Sequence, residues 1–295
     1  MRLLGPAEPT PGGGILTMGT FDGVHRGHQA LLSTARAWAD QYATYVEVWV
    51  FDPHPRSVLR GEAVPLLTTF PERVVLLHEA GADFVRRVPF TLELAALPAE
   101  AFVQEWIVRL SRPRGLVLGY DHRFGQGRQG SAQLVRQMGI PVQEVPPLIE
   151  GDSPISSSRI RQLIQQGHLQ EAHKLLGRPF GLRSTVRRGQ GLARKLGVPT
   201  ANLPWPEGKI RPVAGIYAGW AHFHSPYPAA LYLPPKGDLE VHLVDLEQDL
   251  YDKPLQVSFL AFLRPHADFS DEAALHRQIL EDIEVVRRYF ADKGF

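Results

Sequence analysis

Residues 15–28 read ILTMGTFDGVHRGH. The first five form a short apolar run ending in Gly19. A helical pattern follows, with Leu31, Leu32, Ala35, Trp38 and Ala39 at helical spacing. A strand, a glycine-rich turn and a helix in succession open a βαβ unit. Outward from this stretch the alternation continues. Residues 45–51 and 84–88 read as strands, with a helix over 71–81 that Gly81 stops. Residues 99–110 read as a helix, 116–119 as a strand, 132–138 as a helix and 142–145 as a strand. Strands alternating with helices of about ten residues predict a parallel sheet, whose ligands lie beyond the carboxyl ends of the strands.

Two short helices are expected next, over 158–166 and 169–176, with Ile160, Leu163 and Ile164 on one face of the first. Gly167 and Gly177 are their stops, and Pro179 forbids continuation. The pattern then changes. Val186 and residues 215–223, 229–233, 241–246 and 255–263 read as successive strands with no helix between them, which predicts an antiparallel sheet or barrel. One long helix closes the chain from Asp271, with Leu275, Ile279, Ile283, Val286 and Phe290 roughly on one face. The expected fold is therefore a Rossmann-like α/β domain over 1–177 and an antiparallel β-barrel with a C-terminal helix over 178–295.

Composition agrees with two domains. The chain has 295 residues and is 44% hydrophobic, enough for two cores at about 150 residues each. Its 32 Lys+Arg against 31 Asp+Glu leave a net charge of +1. That balance argues against a nucleic-acid or membrane-surface partner, though a local basic groove stays open. With no Cys there is no disulfide framework, Cys-ligated zinc or thiol nucleophile. No run approaches 18 apolar residues, and Pro and Gly interrupt the N-terminal stretch, so neither a membrane span nor a signal peptide is expected. The expectation is a soluble, cytoplasmic, two-domain protein.

The turn at 19–28 carries the first chemistry. Gly19, Gly23 and Gly27 let backbone approach a ligand, and a helix start after such a turn attracts phosphate. His25 and His28 lie three apart, so both imidazoles can face one anion and stabilise charge in phosphoryl or nucleotidyl transfer. The same residues also fit a plain βα turn with two solvated histidines. ISSSRIR at 155–161 precedes a helix. Ser156, Ser157 and Ser158 can be ordinary caps or, with Arg161, a second phosphate clamp.

In the second half, GLRSTVRRGQGLARKLGVPTANL at 181–203 contains a weak Gly-rich loop with Gly189 and Gly197, then VPTAN. Thr200 and Asn202 place two oxygen ligands close together, which suits Mg²⁺ held against ATP phosphates; a turn with capping hydroxyls is the alternative. Glu240 opens a strand on which Glu240, His242 and Val244 share a face. A lone strand-edge Glu is more often solvated.

Together these residues resemble the HxGH nucleotidyltransferases, with HxGH at 25–28 and an ISSTxIR-like motif at 155–161 that has Ser158 for Thr. FDPHP at 51–55 and GYDHRFGQGRQG at 119–130 narrow the resemblance to the bifunctional riboflavin kinase/FMN adenylyltransferase (FAD synthetase) family of bacteria. The second half resembles the family's kinase domain through PTAN, the Glu240 strand, GIYAGW, DLEQDLY and FLRPHADFS. The resemblance implies riboflavin phosphorylation by ATP, then FMN adenylylation to FAD with release of pyrophosphate. It implies catalytic roles for His25, His28, Arg161 and Glu240, the last as base toward the ribityl 5′-hydroxyl. Gly19, Phe21, Gly27, Ser156, Ser157, Ser158, Gly189 and Gly197 would meet ATP. Asp52, His54, Asp121, Arg123 and Phe124 would border flavin, and Thr200 and Asn202 would hold Mg²⁺.

Three departures stand out. Ala193 and Asp252 occupy family glycine positions, and LYLPPKGDL at 231–239 replaces a longer N-I-G-x-x-P-T-F stretch. The last leaves a rival open, a monofunctional FAD synthetase whose barrel only binds flavin. A second rival, an HxGH adenylyltransferase acting on nicotinamide or pantetheine phosphates, is opposed by the kinase-like half.

Overall fold

The computed structural model describes residues 2–189, 197–246 and 248–294, and these fall into two compact units, 1–157 and 158–295. In the first unit, six parallel strands form one sheet in the order β1-β4-β3-β2-β5-β6. They are β1 (Arg2–Leu4), β2 (Ile15–Gly19), β3 (Val46–Asp52), β4 (Phe84–Pro89), β5 (Gly115–Gly119) and β6 (Val142–Val145). The helices are α1 (Arg26–Gln41), α2 (Pro55–Arg60), α3 (Phe70–Glu79), α4 (Leu92–Ala96), α5 (Ala99–Phe102), α6 (Arg109–Ser111) and α7 (Ala132–Gln137). A π-helical turn, Val103–Val108, joins α5 to α6, so the expected single helix is widened in its middle.

The strands are nearly continuous apolar runs because both sheet faces are covered. Ile15, Val48, Val50 and Val117 face α1 and α3, whereas Leu16, Met18, Trp49 and Leu118 face α5 and α7. The buried charges on these strands are those of Arg86 on β4 and, on β3, Glu47. Its carboxylate accepts from Arg86 (2.9 and 3.0 Å), Trp49 Nε1 (2.7 Å) and Thr10 Oγ1 (3.1 Å), so the charge is paired and hydrogen-bonded. Strand order reverses between β2 and β5, and the loops after those two strands flank the crevice where doubly wound sheets bind ligands.

A two-stranded ribbon, β7 (Ile149–Glu150) and β8 (Ser153–Pro154), precedes α8 (Ser157–Gln165) and α9 (Leu169–Leu176). Six antiparallel strands follow: β9 (Gly181–Thr185), β10 (Ala201–Leu203), β11 (Gly215–Phe223), β12 (Ser225–Leu233), β13 (Leu239–Leu243) and β14 (Pro254–Pro265). Their order is β10-β13-β12-β11-β14-β9. An isolated bridge from Arg187 to Asn202 links the two edges, so the sheet is a nearly closed barrel. Alternation along the strands is clean. Leu231, Leu233, Leu239 and Val241 are buried, whereas Tyr232, Glu240 and His242 stand on the other face, which is partly open. Against that outer face lies α10 (Glu272–Ala291), capped by Asp271, with Val286 and Phe290 packed on Ala218 and Val244. Ala218 and Ala230 are cross-strand partners and lie in this patch, where small side chains leave room for the helix.

Several expectations shift. Val186 lies just past β9, and its N–H donates to Lys253 O at 3.0 Å. The strand expected over 241–246 is Leu239–Leu243; Asp245 sits at φ 61 in the turn that ends it, so Val244 falls outside the strand. Ala193 lies outside the described residues. Asp252, in a family glycine position, has φ 60, a conformation that Asp tolerates better than most residues. The expected boundary near Gly177 and the observed division at Ser157 differ by α8 and α9, which go with the second unit.

Candidate active sites

In the first unit the turn after β2 is held from below. Asp22 is fully buried, and its carboxylate accepts from the backbone N–H groups of Leu67 (2.9 and 3.1 Å) and Thr68 (3.1 Å). Gly23 N–H donates to Thr68 Oγ1 at 2.9 Å. Phe21 (φ 48) and Val24 (φ 40) occupy left-handed backbone, which is costly for a β-branched residue and needs this bracing. His25 is the N-cap of α1, and its Nδ1 accepts from His28 N–H at 3.4 Å. The rings of His25 and His28 stack at 3.7 Å and 17°, with Phe21 5.1 Å from His28. A Cβ on Gly27 would lie 3.2 Å from the His25 ring, tight enough to push on the stack. Two parallel imidazoles thus sit at the start of a 16-residue helix, where backbone N–H groups favour an anion.

The serine motif reaches this turn within the same unit. Ser157 Oγ donates to Asp22 O at 2.8 Å, and Ile155 O lies 3.8 Å from the position a Gly27 Cβ would take. Ser158 and Arg161 belong to the second unit's share of α8.

The residues expected to border flavin divide. Asp52 is engaged by two arginines, Arg73 (3.1 Å) and Arg87 (2.8 Å), and Arg73 also donates to Thr20 O at 2.9 Å. Asp52 therefore braces the end of β3 against the first loop. His54 caps α2, accepting from Arg56 N–H at 3.1 Å. In the loop after β5, Phe124 packs into the core against Phe102, and its backbone pairs with Gly130. Asp121 and Arg123 are exposed. Between them His122 has a buried Nε2 with no hydrogen-bond partner among the described residues, and burial pushes its pKa down to about 4.

In the second unit the expected metal and base residues meet. Asn202 pairs with Glu240 across β10 and β13, and Glu240 pairs with Tyr232 across β13 and β12. Thr200 Oγ1 lies 3.5 Å from Glu240 Oε2, a long contact. His242 Nδ1 lies 3.0 Å from Pro199 O, tying β13 to the PTAN turn. A Cβ on Gly189 would come within 2.4 Å of the Asn202 carboxamide, so a side chain there would displace Asn202. Gly197 stands at φ 78 with open space around it. Burial raises the Glu240 carboxyl above its ordinary pKa, offset in part by Thr200. Thr200 and Glu240 line a cavity of about 560 Å³ between the outer barrel face and α10. The expected one-sided helix face splits: Leu275 and Ile279 line the cavity, whereas Val286 and Phe290 lie in the core.

The shortened stretch makes a tight connection. Leu233 and Leu239 end β12 and begin β13, and Arg211 grips the turn by donating to Pro234 O and Gly237 O, each at 2.9 Å. Strand alternation alone would have offered Tyr232 as a neighbour of Glu240, but only with the hairpin register known. Tyr232, Arg264, His266 and Asp282 all line the cavity and were not singled out from the sequence.

Comparison with known proteins decides the family. The FAD synthetase family model matches residues 7–159, and the riboflavin kinase model matches residues 176–290. The bifunctional riboflavin kinase/FMN adenylyltransferase of Escherichia coli K12 is 35% identical over 94% of this chain and 93% of its own. The chain belongs to the bifunctional riboflavin kinase/FMN adenylyltransferase family. The Listeria monocytogenes enzyme of that name is 30% identical over 94% of this chain and 92% of its own. A solved structure described as a macrolide-efflux protein from Streptococcus pneumoniae superposes with TM-score 0.88 at 28% identity, covering 97% of this chain and 99% of that one. Both catalytic domains are thus present, and the chain is a transferase that makes FMN from riboflavin and FAD from FMN, using ATP. This favours the bifunctional reading over the monofunctional rival. No helix among the described residues is long and apolar enough to cross a membrane.

Proposed function

We propose that the two activities map onto the two residue clusters, with His25, His28, the start of α1 and the serine motif serving adenylyl transfer, and Thr200, Asn202 and Glu240 serving phosphorylation. The observation that carries the kinase half is the meeting of Thr200, Asn202 and Glu240, of which Thr200 and Glu240 line a cavity. Thr200 and Asn202 offer a hydroxyl and a carboxamide, hard oxygen ligands that fit Mg²⁺ better than a softer metal. When bound with ATP, the metal would neutralise phosphate charge. Glu240 takes the proton of the ribityl 5′-hydroxyl while that oxygen bonds the γ-phosphorus and ADP leaves. Its raised pKa makes it a stronger base than an ordinary carboxylate.

In the first unit a phosphate oxygen of FMN attacks the α-phosphorus of ATP and pyrophosphate leaves, so no protein nucleophile is needed. The paired imidazoles and helix N–H groups hold the charge that develops, and Arg161 would add to them. Gly19, Phe21 and Gly27 shape the floor, and Asp121, Arg123 and His54 are placed at loops after β5 and β3, where the flavin end of FMN would lie. The functional boundary is kept near Gly177, because the two family models leave 160–175 between them. A cytoplasmic setting suits an enzyme that consumes ATP twice.

The test is Glu240→Gln in the full chain, assayed with riboflavin and Mg-ATP and separately with FMN and Mg-ATP. Loss of phosphorylation by about 10²–10⁴-fold with normal FAD synthesis supports the mapping. Retained phosphorylation refutes the role of Glu240.

A further inference from the structure

Arg73 lies near the start of α3, is 1% exposed, and has no part in that mechanism. Its two terminal nitrogens reach different loops. Nη1 donates to Thr20 O at 2.9 Å, and Nη2 donates to Asp52 Oδ1 at 3.1 Å. Thr20 follows β2 and begins the turn that carries His25 and His28, whereas Asp52 ends β3, two residues before His54. Arg73 Nε has no partner among the described residues, so the hydrogen bonds of this guanidinium run to these two loops. Arg87 on β4 holds the other Asp52 oxygen at 2.8 Å. The Phe70 ring lies beside both cations, 5.9 Å from the Arg73 guanidinium and 4.8 Å from that of Arg87.

The residues just before Arg73 hold the same turn. Leu67 and Thr68 donate their N–H groups to Asp22, and Thr68 Oγ1 accepts from Gly23 N–H. Thr69 then caps α3 in a reciprocal bond with Glu72, which fixes where Arg73 starts from. Residues 67–73 thus grip residues 20, 22 and 23 on one side and residue 52 on the other.

Stability alone is a poor reason for a guanidinium at this place. Burying a charge is costly, and an apolar side chain of similar volume often serves a core as well or better. An apolar side chain, however, cannot hold two loops at a set distance. That distance matters here, because an oxygen of FMN must meet the α-phosphorus of ATP in line, and a misplacement of about 1 Å can cost about 10²-fold in rate. Phe21 and Val24 add a second reason. Their left-handed backbone keeps its shape only where the surroundings over-determine it.

We infer that Arg73 is a positioning residue for adenylyl transfer, setting the spacing between the turn that carries the paired histidines and the loop that begins at Asp52. The inference rests on that turn being the adenylyl-transfer site. Arg73 acts through Thr20 and Asp52 and need touch neither substrate. Lysine would keep the charge but offers one nitrogen in place of a planar fork, so it cannot hold both loops.

The test is single-turnover FAD formation by the full chain, with enzyme in saturating excess over ATP, Mg²⁺ present and FMN saturating. A rate constant read this way does not depend on the fraction of chains that are folded, so a purely structural loss leaves it unchanged. Arg73→Lys should lower it by about 10²-fold. Steady-state KM for FMN and for ATP should stay within threefold, and riboflavin phosphorylation should stay at the parental level. Arg73→Gln leaves no unpaired charge to bury, should show the same loss, and decides the matter should Arg73→Lys fail to fold. A parental rate constant in the folded variant, or a loss carried by KM, overturns the inference. His28→Ala distinguishes the two levels of argument: if it keeps the parental rate constant, the assignment of the turn has failed rather than the role of Arg73.

Discussion

His25 and His28 stack ring on ring, yet their surroundings give them different work. His25 is 5% exposed and its Nδ1 caps α1, so it builds the turn. His28 is more open and sits where the helix start favours negative charge. His28→Ala should cut FAD formation by about 10²–10³-fold and leave riboflavin phosphorylation at the parental level, read by chromatography of the two products. FAD formation within twofold of the parent would sink the role of His28. Glu240 carries a second consequence. Its folded pKa is raised, so the folded chain binds more protons than the unfolded chain above the ordinary carboxylate range. Stability from this group is thus present at low pH and is lost as pH rises through its folded pKa. Glu240→Gln should melt higher than the parent at neutral pH, with the gain shrinking on acidification; an equal or lower Tm at neutral pH contradicts this. The closeness of His25 to His28, and of Thr200 to Asn202, was legible because a short motif fixes the spacing of each pair. That of Tyr232 to His266 was not, because hairpin register and a bend after β14 bring them together. Asp52 and Phe124, expected to border flavin, also have structural partners that sequence could not name: two arginines hold the first, and the second packs into a core.

Among the elements, two loops carry the sites and each has one indispensable fixture. In the loop after β5, Gly125 stands at φ 68, and a Cβ there would come within 2.7 Å of the Ala99 backbone. Gly125→Ala should destabilise the first unit by roughly 1–3 kcal/mol, seen as a lower midpoint in denaturant unfolding; an unchanged midpoint would show that the loop yields freely. In the hairpin that joins β12 to β13, Arg211 grips both sides of the turn. The resemblance implies a longer turn in the family, which would leave less of the kinase site walled here. Weaker walls affect substrate holding and water exclusion more than proton transfer. Arg211→Ala should therefore raise KM for riboflavin or ATP several-fold more than it lowers kcat, and steady-state kinetics with the pattern reversed would contradict the account. Long periodic elements such as α1, β11 and α10 were readable from residue spacing alone. β1 and β10 have three residues each, too few for any period to emerge. They exist because a neighbouring strand supplies their ladder, which is information held in tertiary structure.

At the scale of the whole molecule, acid should act through two histidines. Burial pushes His122 and His173 each down to about 4, and the Nε2 of each lacks a partner among the described residues. Below the ordinary histidine pKa of about 6.5 the unfolded chain binds more protons than the folded one, so stability present above that value is lost as pH falls toward 4. The Tm should drop across this window, and less steeply in a chain carrying His122→Asn and His173→Asn; parallel slopes would exclude both residues as the cause. The central claim is that one chain performs two transfers with two separate sets of groups. Parallel assays of full-length His28→Ala and Glu240→Gln, each with riboflavin plus Mg-ATP and with FMN plus Mg-ATP, test it most directly. The account predicts a crossed pattern, with FAD synthesis lost only in His28→Ala and FMN synthesis lost only in Glu240→Gln. Loss of both activities in either correctly folded variant would contradict it.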